Sequence, residues 1–205
     1  MKESKINFQS ILIPLVLIFY PALAYFGMKH FGVRIASLIL LILVLGSYIL
    51  KILKSKALAV SIIVQVGIVS IILTMSYLLK EPFFMKIVPA LIATSASIVF
   101  FASLLKTPIA QSFAMLRKPQ LNAEELRYTR NVTIVWGVVM AGDAVICFLA
   151  ALAKSMEVWL IVCFPFSYTL IGIVFCSEYV IRKWKFGEFD ESVLWDKILK
   201  AAMKR

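Results

Sequence analysis

The chain reads as all-α: a polytopic bundle of six transmembrane helices carrying amphipathic cytoplasmic helices. Three observations predict it. Hydrophobic residues make up 62% of the 205 and charged residues only 16%, too little polar surface for a soluble domain of this length. Apolar runs of the ~20 residues needed to cross a bilayer core recur six times. Those runs are continuously apolar, without the two-residue alternation of a membrane β-barrel.

The first run, Phe8–Phe26, holds Pro14 and Pro21, is too long for a signal-peptide core and leads directly into another span. Phe31–Leu50, Ala57–Leu79, Ile87–Leu105, Val132–Ala153 and Val158–Ile181 follow. Short connections at Gly27–His30, Lys51–Lys56, Lys80–Lys86 and Lys154–Glu157 predict antiparallel neighbours. Pro14, Pro21, Pro89 and Pro165 are positions where spans can kink. On the fourth span, Ala90, Ala93, Thr94 and Ser97 form small-xxx-small spacings that let backbones approach.

The long connection, 106–131, is predicted to be structured. Thr107 and Pro108 suit an N-cap followed by proline at the first helical position. Ile109, Phe113 and Leu116 then form one apolar face, and Pro119 ends the helix. Asn122 with Glu125 three residues on suggests a capping box, opening a helix that continues into the fifth span. This segment either lies on the membrane surface or stands off it as a solvated hairpin. The transmembrane domain is taken as 1–183 and a basic tail as 184–205. In the tail, Leu194, Trp195, Ile198, Leu199 and Ala202 face away from Asp196, Lys197, Lys200 and Lys204. Such a helix suits anionic headgroups, or packs on cytoplasmic loops or a partner.

The net charge of +11 is explained by its placement rather than by nucleic acid. Numbering sides alternately, one side collects 17 of the 22 Lys and Arg residues. The other keeps Lys29, Arg34, Lys80, Lys86 and Lys154. Basic loops stay cytoplasmic, which predicts an inner-membrane, multi-pass protein with both termini in the cytoplasm.

Asp143, in the middle of the fifth span, is the first candidate for function. A carboxylate at the bilayer centre costs ~2.5 kcal/mol or more on insertion scales. It reads as a proton or cation site, as a carboxyl kept neutral by burial, or as a polar anchor. Gln65, Thr74, Thr94, Ser95 and Ser97 are its candidate partners, and no Lys or Arg is predicted at its depth. Glu178 and Arg182 form an i,i+4 pair near the cytoplasmic end of the last span, which is structural or, with Lys183, orients a lipid headgroup. Cys147, Cys163 and Cys176 read as small buried hydrophobes, and the one histidine, His30, as an interfacial residue. No metal site or cofactor is predicted. HExxH, GxSxG, HxxxxD and P-loop patterns are all missing, which argues against an enzyme.

The order of three segments carries a resemblance: LLKTPIAQSFA, RYTRNVTIVW and SEYVIRK between Phe84 and Lys183. The chain resembles the intracellular septation protein A family, and more closely uncharacterised bacterial inner-membrane proteins associated with aryl-polyene or related lipid-pigment biosynthesis. The matching positions are Lys106, Pro108, Ile109, Gln111, Tyr128, Thr129, Arg130, Thr133, Trp136, Glu178, Tyr179 and Arg182. The match covers about half the chain; the first half agrees only in hydropathy. It implies an envelope or membrane-lipid role without a defined reaction, and no catalytic residues are carried over.

The expected function is therefore a non-enzymatic scaffold or lipid-interacting component. Its partners would be anionic headgroups and cytoplasmic acyl-handling or envelope-biogenesis proteins. Asp143, Glu178, Arg182, Lys183, Arg130 and Lys106 are the contact candidates. The alternative is a transporter or flippase of a lipid or polyene precursor that uses Asp143.

Overall fold

The computed structural model describes residues 18–54, 60–116 and 118–187. Among these, all regular structure is helical: α1 Tyr20–Lys54, α2 Val60–Leu79, α3 Pro82–Lys86, α4 Val88–Ser103, α5 Ile109–Met115, α6 Ala123–Leu152, α7 Met156–Ile161, a π-helical turn Val162–Phe166, and α8 Ser167–Phe186. Among the described residues, four helical stretches are long and apolar enough to cross a membrane: Tyr20–Gly46, which contains the turn at Gly32, Pro82–Ser103, Ala123–Leu152 and Met156–Phe186. The chain thus has the helices of a membrane protein. Most of the expected first span, and the expected tail helix Asp190–Arg205, lie outside the described residues.

The expected loop at Gly27–His30 is helical instead, and the chain turns at Gly32. Gly32 takes φ 76° and ψ 169°, a conformation essentially reserved for glycine. In a straight helix residues 27 and 36 would stand ~13.5 Å apart. Here a β-carbon on Gly27 would lie only 3.1 Å from the Ala36 β-carbon. The two arms of α1 therefore fold back on each other, and small residues permit their closeness.

α2 ends where Lys80 adopts a left-handed φ of 59°, and Pro82 at the start of α3 resumes the helix. Pro89 likewise sits in the first turn of α4, a position where its missing N–H breaks no hydrogen bond. The long connection is structured as expected, with one change of register. Pro108, not Thr107, is the N-cap of α5. Asn122 and Glu125 complete the capping box reciprocally: Glu125 N donates to Asn122 Oδ1 at 2.8 Å and Asn122 N to Glu125 Oε2 at 2.7 Å. α6 then runs without a break through the fifth span.

α4 and α6 pack closely through small residues. Ala90, Ala93 and Ser97 are buried on α4, and Ser97 Oγ donates to Gly137 O at 2.9 Å across the interface. On α6 the buried positions Thr133, Gly137, Met140, Ala144, Cys147 and Ala151 alternate spacings of four and three, as in a coiled-coil seam. The sequence reading recognised the α4 spacing but not this seam, because hydropathy around α6 is too uniform to mark one face.

The chain divides into two compact units, Met1–Phe166 and Ser167–Arg205. The hydrophobic core of the first gathers Tyr20, Leu40, Leu73, Met85, Val88, Cys147 and Trp159 among others. Three connections share one end of this unit. Tyr25 Oη donates to Glu157 Oε1 at 3.3 Å, Arg34 Nε to Tyr77 O at 3.4 Å, and Tyr20 Oη to Met85 O at 3.1 Å. These are the connections that charge alternation assigns to a common side.

Candidate functional site

Asp143 is buried beside the α6 seam, ten residues and so about 15 Å from the Ala153 cap. Its expected partners are otherwise engaged. Thr74, Thr94 and Ser95 donate to carbonyls of Ser70, Ala90 and Leu91 in their own helices, and Ser97 donates to Gly137. Gln65 is exposed. A thiol one turn away reaches the carboxyl: Cys147 Sγ donates to Asp143 Oδ1 at 4.0 Å.

Cys163 lies next to Cys147 and within electrostatic reach of Asp143 and Lys86. Cys147 and Cys163 are both buried, as expected of small hydrophobes, whereas Cys176 is exposed. Cys163 lies in the π-helical turn containing Pro165. The proline has no N–H to donate and would clash with the carbonyl four residues earlier; widening the helix accommodates both constraints.

Lys86 stands at the end of the Lys80–Lys86 connection, as expected, and reaches the end of α6 rather than the depth of Asp143. What the sequence reading did not show is its burial: it is 4% exposed, and its Nζ donates to Ala153 O, the C-cap residue of α6. Trp159 Nε1 donates to Lys86 O at 2.9 Å and holds the backbone there. A cation at the carbonyl end of a helix complements its dipole, which compensates part of the cost of burying an ammonium. Lys86, Cys163, Cys147 and Asp143 thus form a polar line leading from the end of α6 toward its middle. Chemically it holds an amine at one end and a carboxyl at the other, with two polarisable thiols between them.

The remaining candidates stand at helix ends. Lys106 is exposed, and Arg130 Nη1 donates to Leu104 O at 3.3 Å, tying α6 to the end of α4. Near them, Ile109 N donates to Ser103 Oγ and Ala110 N to Thr133 Oγ1, both at 3.2 Å. These bonds satisfy the first N–H groups of α5, which has no side-chain cap of its own.

In the second unit, Glu178 Oε1 lies 3.4 Å from Arg182 Nε. The ion pair is within reach but is not an aligned hydrogen bond, since Arg182 Nε is buried without a hydrogen-bond acceptor. Arg182 and Lys183 both approach the Tyr179 ring, at 5.9 and 5.5 Å. Glu178, Tyr179, Arg182 and Lys183 thus assemble as one aromatic-basic group near the end of α8. Lys106 and Arg130 belong to the first unit.

Sequence reasoning missed Lys86 and the cysteine contacts. The available signal was the position of Lys86 directly before an apolar run, with Trp159 at the start of another. Among the described residues, no group of three or more His, Cys, Asp or Glu is arranged to hold a metal ion. No family model, no curated protein and no solved structure matches the chain.

Proposed function

We propose that the protein is a six-span, non-enzymatic component of the bacterial inner membrane, with both termini cytoplasmic. Its basic cytoplasmic ends engage anionic lipid headgroups in support of envelope or membrane-lipid biogenesis. The observation that carries this reading is the Tyr179 ring flanked by Arg182 and Lys183 near the end of an apolar helix. An aromatic ring suits the headgroup level, and the Arg182 guanidinium, its side chain 32% exposed beside the buried Lys183, suits a phosphate. Lys106 and Arg130 add basic charge at the end of the α4–α6 pair. The resemblance to the septation protein A family agrees with such a role, and soluble acyl-handling or envelope-biogenesis proteins are the cytoplasmic partners it suggests.

The test is reconstitution in nanodiscs with spin-labelled phosphatidylglycerol. Wild type should immobilise more of this lipid than of phosphatidylcholine, with the excess shrinking in high salt. Arg182→Gln with Lys183→Gln should remove much of that excess and weaken complementation of a deletion strain. Unchanged selectivity and full complementation by a folded double variant would reject the reading.

The buried polar line favours a second reading, a transporter of a lipid or polyene precursor using Asp143. In the scaffold reading Asp143 is a polar anchor, so Asp143→Asn should complement. Asp143→Leu should lose no more than about 0.6 kcal/mol, the typical worth of a side-chain hydrogen bond in membranes, since its thiol partner lies in the same helix. A well-inserted Asn variant that fails to complement would instead promote the transporter, where loss of the titrating carboxyl removes the mechanism.

A further inference from the structure

The fold-back of α1 leaves a cleft between its arms of about 360 Å³, at the lower end of the ~300–1,000 Å³ range of ligand pockets. Phe19, Leu23 and Phe26 line one wall, Ile39 and Leu43 the other, and His30 stands at the turn end. The apolar lining residues remain exposed; Phe26 retains 54% of its surface and Phe19 45%. In a membrane-spanning hairpin, such a cleft opens toward acyl chains rather than water.

The charge around the turn identifies the occupant more closely. Lys29, His30 and Arg34 are exposed within five residues of one another, bracketing Gly32. Lys29 stands 5.6 Å over the Tyr25 ring, and Arg34 lies 5.3 Å from the Tyr77 ring while donating to Tyr77 O. Glu157, held by Tyr25 and Ser155, is a carboxylate that interacts with Lys29. One acid against two permanent cations and a histidine leaves this end of the hairpin positive.

We propose that the α1 hairpin is a binding site for one anionic phospholipid. Its acyl chain lies in the cleft and its phosphate meets Arg34, His30 and Lys29. This site is built from the hairpin alone and does not depend on the aromatic-basic end of α8. The small residues that close the hairpin, Gly27 and Ala36, seal the floor of the cleft and set how deeply a chain can enter.

Native mass spectrometry of the full chain, released from nanodiscs of equal phosphatidylglycerol and phosphatidylcholine, tests this. Wild type should retain one phosphatidylglycerol in several-fold preference to phosphatidylcholine. Lys29→Gln with Arg34→Gln should erase the preference while a lipid is still retained. Leu23→Trp, which fills the cleft, should remove the retained lipid of either kind. Ala22→Leu provides an independent filling variant should the tryptophan misfold. Three outcomes would overturn the proposal: no retained lipid in wild type, equal retention of the two lipids, or undiminished retention by both folded filling variants. The first of these would assign the cleft to protein, either residues 1–17 or a second copy. Arg182→Gln with Lys183→Gln should leave this retained lipid in place, which separates the result from the reading of α8.

Discussion

The two ends of α6 solve one electrostatic problem in opposite ways. At its start the unsatisfied N–H groups and positive dipole meet Asn122, Glu124 and Glu125, all within four residues of one another. Glu125 is also paired to Lys118 at 2.6 Å, with the lysine side chain 48% exposed. At its finish the carbonyl end meets Lys86, which arrives from 67 residues away and is buried under Trp159. The first cap is local and wet; the second is long-range and dry. Water can replace much of what the first supplies, while the second must be supplied by the protein.

Lys86→Ala should therefore have the largest effect, a loss of about 2 kcal/mol, because it removes a charge-assisted hydrogen bond and leaves a buried carbonyl unsatisfied. Unfolding in mixed micelles measures it. A loss no greater than that of Asn122→Ala would break the contrast between the two ends. Asn122→Ala itself should cost about 1 kcal/mol, the usual worth of an N-cap, and helicity near residue 123 should fray in hydrogen exchange. Trp159→Phe deletes the bond to Lys86 O, worth about 0.6 kcal/mol, and adds the cost of the cavity left by the fully buried indole. Combined with Lys86→Ala it should cost less than the sum of the two, because both act on the same cap. Lys118→Ala should be the mildest change, detectable at low salt and lost at 1 M, where screening acts over ~3 Å. The Lys86 effect should persist at that salt concentration.

The same contrast accounts for what was legible in the sequence. The capping box lies in a window of four residues, so Asn122 and Glu125 announced it. The apolar runs announced an all-α membrane chain. Of the small residues spaced along α4, Ala90, Ala93 and Ser97 are buried at a packing face, whereas Thr94 is exposed. The burial of Lys86 was missed because its partner is a backbone carbonyl, which has no signature in sequence. Asp143 was found by its charge, but its neighbours were sought among hydroxyls. Hydroxyls on transmembrane helices often satisfy themselves on a carbonyl one turn back, as Thr74, Thr94 and Ser95 do. The thiols were left over, and nothing in their spacing revealed that α6 and the π-helical turn bring Cys147 and Cys163 together. Glu178 and Arg182 were legible because helical spacing alone brings them together, whereas the place of the Tyr179 ring beside Arg182 and Lys183 was not foreseen.

Gly32 has a consequence for how the protein is made. The two arms of α1 are joined by a single residue in a conformation that glycine alone adopts readily. A link so short gives the second arm no slack to wait in water while the first enters the bilayer. The pair is therefore expected to leave the insertion machinery together, as a preformed helical hairpin. Gly32→Ala would then act twice, straining the finished turn by about 1–3 kcal/mol and slowing its entry into the bilayer. Pulse-chase protease protection would reveal the second effect as slowed insertion, beyond that of a core variant of equal stability loss.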